Sequence, residues 1–248
     1  MLINIVIFTV IGSILSLIGG ILLLLKKNLS ETFILDLTSF AAGVLLATAF
    51  IDLFPEAMEK SGNTIKIFTY ALSGMVVFFI LERFLFWFHH HHETVKEITP
   101  SILLITLGDS IHNFIDGVAI ASSFLVSFPL GLSTAIAVAA HEIPQEIADF
   151  SVLLSQKLSK LKTLAFNGLS ALTSLAGAIL TFYLSDQITS FLPFIIAFTA
   201  GMFIYIASSD LIPELHKSSI KKTNAWHQTA MLLFGIFLVV VTKSLLQE

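Results

Sequence analysis

Eight apolar stretches, each about as long as a membrane-spanning helix, dominate this 248-residue sequence. A helix needs about 20 apolar residues to cross the hydrocarbon core of a bilayer. Only 12% of the residues are charged, about half of the ~25% that is usual in soluble domains. The sequence therefore predicts an all-α integral membrane protein with eight transmembrane helices, forming a single transmembrane domain over residues 1–248. The expected spans are 2–25, 33–54, 65–88, 100–126, 130–154, 161–184, 191–212 and 225–246.

Several classes of protein are excluded by what the sequence lacks. There is no cysteine, so disulfide frameworks and thiolate metal sites are excluded. The net charge of −4 provides no basic footprint for nucleic acid, so the expected partner is the lipid bilayer rather than DNA or RNA. The first apolar stretch is too long for a signal-peptide core and has no positive leader, so we interpret it as a span.

The distribution of lysine and arginine orients the expected bundle. Ten of the 13 basic residues fall in odd-numbered connections, and three fall in even-numbered connections or at the C-terminus. Because cytoplasmic connections carry the excess of positive charge, we expect the odd-numbered connections in the cytoplasm and both termini outside. The short connections favour the cell (inner) membrane of a prokaryote. The ten residues are Lys26, Lys27, Arg83, Lys96, Lys157, Lys160, Lys162, Lys217, Lys221 and Lys222.

A short motif occurs twice in the chain, 158 residues apart. It begins as SFAAGVLL at residue 39 and as AFTAGMFI at residue 197, and it lies in spans two and seven, which the expected topology runs in opposite directions. We therefore expect an inverted repeat, a feature of secondary transporters, with repeat one at 1–88, central helices at 100–156 and repeat two at 161–248. The alternative is two helices that simply end in similar acidic turns with proline. The identical positions are Ala42, Gly43, Ala49, Asp52, Leu53, Pro55 and Glu56, matching Ala200, Gly201, Ala207, Asp210, Leu211, Pro213 and Glu214.

The repeat places carboxylates at both ends of an expected path. Asp52 and Glu56 would lie near the outer face, and Asp210 and Glu214 near the inner face, where His216 can join them. Carboxylates at both mouths would concentrate cations by Coulomb attraction. Ordinary solvation of helix ends is the alternative interpretation of each residue taken singly.

Spans four and five carry polar residues well inside their apolar stretches. A charge at the centre of a bilayer costs roughly 3 kcal/mol on insertion scales, so ionisable residues there indicate a functional site. The residues are Asp109, His112, Asn113 and Asp116 in span four, and His141, Glu142, Gln145, Glu146 and Asp149 in span five.

Helical spacing brings these side chains onto shared faces. His112 and Asp116 are four residues apart, as are His141 and Gln145, and residues at this spacing lie on one side of a helix. Pro144 should kink span five and free the carbonyl four residues earlier. Imidazole and carboxylate ligands together suit zinc, ferrous iron or manganese. A proton relay without metal is the alternative, because chains of Asp, Glu and His also carry protons.

Four consecutive histidines, His89, His90, His91 and His92, lie in the expected cytoplasmic connection at 89–99. Such a run can capture metal with low affinity near the exit of a path, or sense cytoplasmic metal. A solvated linker that merely tolerates histidine is the alternative.

Two motifs carry a resemblance to a known family. Residues 112–117 read HNFIDG and residues 141–146 read HEIPQE. In this order they resemble the fourth- and fifth-span motifs of the ZIP family (Zrt- and Irt-like proteins) of divalent metal transporters. The resemblance covers essentially the whole chain, and it implies eight helices in a 3+2+3 arrangement with inverted repeats and a histidine-bearing cytoplasmic loop.

The resemblance also implies a transport site, often binuclear, between spans four and five. Carried over position by position, His112, Asp116 and His141 would hold one metal, and Asn113 and Glu142 would face a second. These assignments rest on the family motif and not on the spacing alone.

One position departs from the family pattern. Gln145 stands where many relatives have histidine or glutamate, and an amide offers only a neutral carbonyl oxygen to a metal. The neighbouring Glu146 can compensate, and Asp149 follows an alanine where the family usually has Gly-Asp. Asn167 in span six is a candidate for completing the second metal's shell, with an interhelical hydrogen bond as the alternative.

We therefore interpret the chain as a transporter, not an enzyme, that moves a divalent transition metal into the cytoplasm. Zinc is the expected substrate, and iron, manganese and cadmium are the other candidates. A membrane-embedded metal-dependent hydrolase is an alternative, because His141 and Glu142 resemble the start of HExxH, but Gln145 replaces its second histidine. A cation or proton channel is a further alternative, and a homodimer is left open.

Overall fold

The computed structural model describes residues 1–14, 16–25, 30–89, 100–155, 158–217 and 222–246. These residues form helices and short connections, and no strand occurs among them. The expectation of an all-α fold is therefore confirmed.

Twelve α-helices follow one another in the described part of the chain. Several consecutive helices are joined by very short turns, so that they form longer, continuous rods. They are α1 (Leu2–Ile14), α2 (Leu17–Leu25), α3 (Glu31–Ala47), α4 (Phe54–Ser61), α5 (Thr64–His89), α6 (Pro100–Val126), α7 (Phe128–Ser155), α8 (Lys160–Tyr183), α9 (Ser185–Ile188), α10 (Leu192–Tyr205), α11 (Ile212–Lys217) and α12 (Lys222–Leu246).

Six helical rods of the described chain are long and apolar enough to cross a membrane. Helices α6 and α7 are 27 and 28 residues long, but they are not among the six. Part of α6 lies outside the residues whose side chains are described, and both helices carry acidic, imidazole and amide side chains, which lower the hydropathy. The six rods are Leu2–Leu25, Glu31–Ser61, Thr64–Arg83, Lys160–Tyr183, Ser185–His216 and Ala225–Leu245.

Both segments of the repeated motif contain a π-helical turn at the same position. The turns span Thr48–Leu53 and Ile206–Leu211, so their first residues are also 158 apart. Each turn precedes a proline, Pro55 or Pro213, which has no N–H to donate to the carbonyl four residues earlier. The wider turn absorbs this irregularity and lets the rod continue. The sequence repeat is therefore also a repeat of local structure.

Gly43 and Gly201, which are equivalent in the repeat, lie at close helix crossings. A Cβ atom on Gly43 would lie 2.1 Å from the carbonyl oxygen of Leu232 on α12. A Cβ atom on Gly201 would lie 1.8 Å from the carbonyl oxygen of Ala71 on α5. Only glycine permits backbones to approach this closely. The two glycines thus fix α3 against α12 and α10 against α5.

Helices α6 and α7 lie in the middle of the bundle. They pack against each other, α6 packs extensively on α8, and α7 is contacted by α1, α2 and α3. The outer helices differ, since only 22% of the span in α5 and 11% of the span in α12 is buried. Their exposed side chains are large and apolar, for example Phe79, Leu233 and Phe237. A surface of this kind is stable against lipid rather than water.

Candidate metal centre

Four potential metal ligands meet between α6 and α7 in the middle of the bundle. His112 and Asp116 come from α6, and His141 and Glu142 come from α7. One ligand atom from each residue lies within 4.8 Å of all the others. We refer to these four residues as the central quartet.

The distances within the quartet are short. Nε2 of His141 lies 3.2 Å from Nε2 of His112 and 3.2 Å from Oδ2 of Asp116. Oε1 of Glu142 lies 3.6 Å from Nε2 of His112 and 3.8 Å from Nε2 of His141. Ligand atoms that each lie about 2.0–2.1 Å from one tetrahedral zinc ion are about 3.3–3.4 Å apart. Five of the six distances in the quartet are 3.2–3.8 Å, which is close to this spacing, and all four atoms lie within 4.8 Å of one another.

The local helical geometry explains how the quartet forms. His112 and Asp116 are one turn apart on α6, and the distance from Nε2 of His112 to Oδ2 of Asp116 is 3.6 Å. His141 and Glu142 are adjacent on α7, which continues through Pro144 without ending. Nδ1 of His141 lies 3.0 Å from the carbonyl oxygen of Ala137. Donation of the Nδ1 hydrogen to this carbonyl turns the Nε2 lone pair toward the quartet.

Burying the charged side chains of the quartet costs free energy unless a cation neutralises them. The side chains of Asp116, Glu142 and His141 are fully buried, and that of His112 is 16% exposed. No hydroxyl, amide or ammonium group in the described part of the chain donates to the carboxylate of Asp116 or Glu142. Buried carboxylates need a counter-charge or hydrogen bonds. The donor set fits a divalent metal ion.

Aromatic rings enclose the two imidazoles. The ring of Phe78 packs edge-on against His112, with centroids 5.4 Å apart, and the ring of Phe203 packs edge-on against His141 at 6.0 Å. These rings come from α5 and α10, the pair of helices that Gly201 holds together. The packing restricts the imidazole rotamers and limits access of water.

A second polar group lies beside the quartet and is centred on Asp109. Its Oδ1 accepts hydrogen bonds from Nδ2 of Asn113 at 3.0 Å and from Nε2 of Gln145 at 3.4 Å. The amides of Asn113 and Gln145 therefore point their donors at a carboxylate. The carbonyl oxygen of Asn113 is buried and has no hydrogen-bond donor among the described residues.

Glu146 lies outside the quartet, although it follows Glu142 by one turn. It is 1% exposed, and neither of its carboxylate oxygens has a hydrogen-bond donor in the described structure. Glu142, Glu146 and Asp149 follow one another at intervals of four and three residues on α7, so they lie on one face of that helix. Asp149 is half-buried. The hydrogen bond from Gln145 connects Asp109 of α6 to the same helix.

Asp52 and Glu56 line a cavity of about 230 Å³ at one end of the bundle. Asp52 is 6% exposed and accepts a hydrogen bond from the hydroxyl of Ser133, while Glu56 pairs with Lys60 at 3.3 Å. Lys243 from α12 also lines this cavity.

The residues expected at the opposite mouth are more exposed. Asp210, Glu214 and His216 all lie at the surface near the ends of α10 and α11. The structure brings the four quartet residues together, and separately it places Asp52 and Glu56, the first mouth, around one cavity. It does not bring Asp210, Glu214 and His216, the second mouth, into one buried site. His89 ends α5 without a described side chain, and His90, His91 and His92 lie outside the described residues.

Asn167 is buried on α8 and donates to the carbonyl of Thr163 within the same helix, at 2.9 Å. It does not take part in the quartet, and this hydrogen bond is intrahelical rather than interhelical.

A comparison with known families settles the lineage of the chain. A family model described as ZIP zinc transporter matches residues 1–101 and 89–243, which together include almost every residue. The chain belongs to the ZIP family.

Individual ZIP relatives are similar over about half of the chain. The zinc transporter ZIP10 of Danio rerio is 39% identical over 45% of this chain, and the zinc transporter ZIP6 of Homo sapiens is 33% identical over 61%. The metal cation symporter ZIP14 of Xenopus tropicalis is 43% identical over 47%. The matched regions cover 13%, 21% and 25% of the lengths of these three relatives.

Two polar residues of this ZIP chain are not evident from the sequence pattern. Ser133 contacts Asp52, although nothing in its sequence neighbourhood marks it. In the sequence Lys243 stands out only as a basic residue near the C-terminus, yet it reaches the same carboxylate. Both contacts join residues more than 80 positions apart, so no local pattern could have found them.

Proposed function

We propose that this protein transports a divalent transition metal across the membrane into the cytoplasm, with the metal held between α6 and α7. The observation that carries the proposal is the central quartet of two imidazoles and two carboxylates, buried in a bundle of apolar helices. Zinc is the favoured substrate, because the quartet offers two imidazole nitrogens and two carboxylate oxygens within 4.8 Å of one another. Iron, manganese and cadmium remain candidates, since such ligands also bind these ions.

The relatives support transport rather than catalysis. The printed names of similar ZIP proteins describe zinc transporters and a metal cation symporter. A hydrolase of the HExxH type needs a second histidine at the position of Gln145, whose amide donates to Asp109 instead. A simple proton relay would not need four ligand atoms converging within 4.8 Å. We therefore propose a transporter and not an enzyme or a proton channel.

The path follows from the placement of the carboxylates. Metal would be attracted at Asp52 and Glu56, bind at the quartet, and leave near Asp210 and Glu214 with His216 beside them. The acids Asp109, Glu142, Glu146 and Asp149, with the carbonyl of Asn113, would receive a second or departing ion. The run at 89–92 would capture released metal on the cytoplasmic side.

We further propose eight spans in a 3+2+3 arrangement, with repeats at 1–88 and 161–248 around the central helices 100–156. The equivalent π-helical turns and the equivalent crossings at Gly43 and Gly201 support this assignment. Helices α6 and α7 would count as spans because the other six rods shield their polar faces from lipid.

The proposed orientation, with both termini outside, can be tested with single cysteines. Because the chain has no cysteine, each introduced thiol is the only one present. Glu59→Cys lies in the exposed segment before α5, and Ser159→Cys lies at the exposed start of α8. In intact cells we expect a membrane-impermeant maleimide to label Glu59→Cys but not Ser159→Cys. Labelling of Ser159→Cys alone would contradict the orientation, and permeabilised cells, in which both label, provide the control.

The transport proposal is tested by uptake of radiolabelled zinc into sealed proteoliposomes. We expect time-dependent accumulation above the level of protein-free liposomes, competed by unlabelled zinc and less strongly by magnesium. Absence of uptake under an imposed zinc gradient, or hydrolytic activity without flux, would contradict the proposal.

The amide at position 145 should limit the occupancy of a second metal site. In Gln145→His, an imidazole replaces the amide and adds a nitrogen ligand beside Asp109, Glu142 and Glu146. We expect the second zinc ion to bind at least about 10 times more tightly in this variant, because an imidazole is a much stronger zinc ligand than an amide. Calorimetric zinc titration of purified protein measures the two steps.

The matched control for this experiment is Gln145→Asn, which keeps an amide at the same position. In this variant the second zinc ion should still bind weakly. Two equally tight zinc ions in the unmodified protein would show that Gln145 does not limit occupancy.

A further inference from the structure

Lys243 on α12 forms an ion pair with Asp52, the buried carboxylate of the first mouth. Its Nζ lies 3.6 Å from Oδ1 of Asp52, and the other carboxylate oxygen accepts a hydrogen bond from Ser133. The side chain of Lys243 is 26% exposed, against 6% for Asp52, so the ion pair is largely shielded from solvent. Both oxygens of Asp52 are therefore already engaged by groups of the protein.

The same ammonium group also donates a hydrogen bond to the carbonyl oxygen of Ile51. Ile51 precedes Pro55 by four residues, and proline has no N–H with which to satisfy that carbonyl. The π-helical turn at Thr48–Leu53 thus presents a backbone oxygen next to the Asp52 carboxylate. Lys243 occupies a small oxygen-lined position of the kind that a metal cation prefers.

The repeat provides an internal comparison for this position. Leu232 on α12 and Ala71 on α5 meet the equivalent glycines, and they are 161 residues apart. Gly235 and Gly74 are also 161 residues apart. A Cβ on Gly235 would clash with the carbonyl oxygen of Phe40, and a Cβ on Gly74 would clash with that of Phe198. At this interval the counterpart of Lys243 is Glu82.

The two equivalent positions therefore carry opposite charges. Glu82 accepts a hydrogen bond from the hydroxyl of Tyr205, on the rod that contains Asp210. Lys243 neutralises the carboxylate of the first mouth, whereas the second mouth has an acid at the corresponding place. Opposite charges at equivalent positions give the two mouths different affinities for cations.

We propose that Lys243 is a tethered cation that occupies the Asp52 carboxylate between transport events and must be displaced by the incoming metal. This inference rests on the proposed transport function and identifies a residue that controls admission to the path. A divalent ion interacts with the carboxylate twice as strongly as a monovalent ion at the same distance. The ammonium group thus raises the concentration of any cation that is needed to occupy the Asp52 carboxylate. A divalent metal displaces it more readily than sodium or potassium does.

The test measures zinc binding at the first mouth in protein whose quartet is disabled. Asp116→Ala together with His141→Ala removes two quartet ligands, both of which lie outside the cavity around Asp52. The zinc bound at the first mouth is the part of the binding that Asp52→Asn abolishes in this background. In that background we expect Lys243→Gln to bind zinc about 10 times more tightly, because a competing, largely buried ion pair is lost. Lys243→Met, which keeps the aliphatic stem, should behave alike, and Lys243→Arg should restore weak binding.

Lys60→Gln is the matched control for a general change of charge. Lys60 also pairs with a carboxylate of this mouth, Glu56, but its side chain is 41% exposed. An exposed pair of this kind contributes little, so zinc affinity should change less than about twofold. Unchanged affinity in both Lys243→Gln and Lys243→Met, or an equal gain in Lys60→Gln, would overturn the proposal.

Zinc uptake by unmodified protein, measured in parallel, distinguishes failure of the tethered cation from failure of the transport function. If uptake occurs but removal of Lys243 leaves zinc affinity unchanged, the tethered cation is wrong and the transport function stands. If uptake fails, the transport function is wrong, whereas the binding comparison still reports directly on the competition at Asp52.

Discussion

Replacing Asp116 by alanine should reduce zinc uptake by at least about 100-fold, since even residues behind metal ligands commonly contribute roughly 10- to 100-fold. The carboxylate is fully buried and lies 3.2 Å from Nε2 of His141 and 3.6 Å from Nε2 of His112. Its loss removes a ligand and a negative charge from a place where no solvent can replace either. His112→Ala should have an effect of similar size.

Uptake in proteoliposomes and calorimetric zinc binding together measure this effect. Asp116→Asn keeps the volume of the side chain but removes its charge, so an equal loss in this variant would exclude a packing effect. His227→Ala provides the matched control, because His227 is exposed on α12 away from the quartet. Normal uptake by both Asp116→Ala and His112→Ala would show that the quartet does not hold the transported metal.

Gly201→Ala should strongly destabilise the bundle, although it adds only one methyl group. The added Cβ would lie 1.8 Å from the carbonyl oxygen of Ala71, and because the obstacle is backbone, the whole of α5 must move. We expect a loss of about 3 kcal/mol, at the upper end of the usual cost of overpacking. The melting temperature in detergent should fall by roughly 5–10 °C.

Gly168→Ala is the matched control, since it adds the same methyl group within α8. Apart from the neighbouring backbone of α8 itself, no atom of the described chain lies within 4 Å of the position that its Cβ would occupy. Alanine is a better helix former than glycine, so this variant should be unchanged or more stable by up to about 1 kcal/mol. Equal melting temperatures for the two variants would mean that the crossing of α10 and α5 is not tightly packed.

The helices and the residues of the candidate site can be predicted from the sequence because their signals are local. Apolar stretches of about 20 residues predict helices in lipid, and the described chain is helical throughout its long segments. Residues four positions apart share a helix face, so spacing alone pairs His112 with Asp116. The repeat is visible because Asp-Leu-x-Pro-Glu recurs at a fixed interval.

The partners of Asp109 cannot be predicted in this way. Gln145 lies one turn after His141, so spacing alone places it among the metal ligands. In the structure its amide donates to Asp109 on the neighbouring helix, as does that of Asn113. Whether the Gln145 side chain contacts Asp109 or the quartet depends on the rotation of α6 relative to α7. No pattern within one helix specifies that rotation.

Residue identities and their spacing are enough to specify that the chain forms apolar helices, that two of them carry imidazoles and carboxylates, and that one motif occurs twice. The first two of these properties depend on residues within about 25 positions, the length of one helix. The convergence of His112, Asp116, His141 and Glu142, and the contact of Lys243 with Asp52, emerge only when the helices pack. Such contacts depend on where helices cross, and the crossings are set by glycines at which two backbones meet.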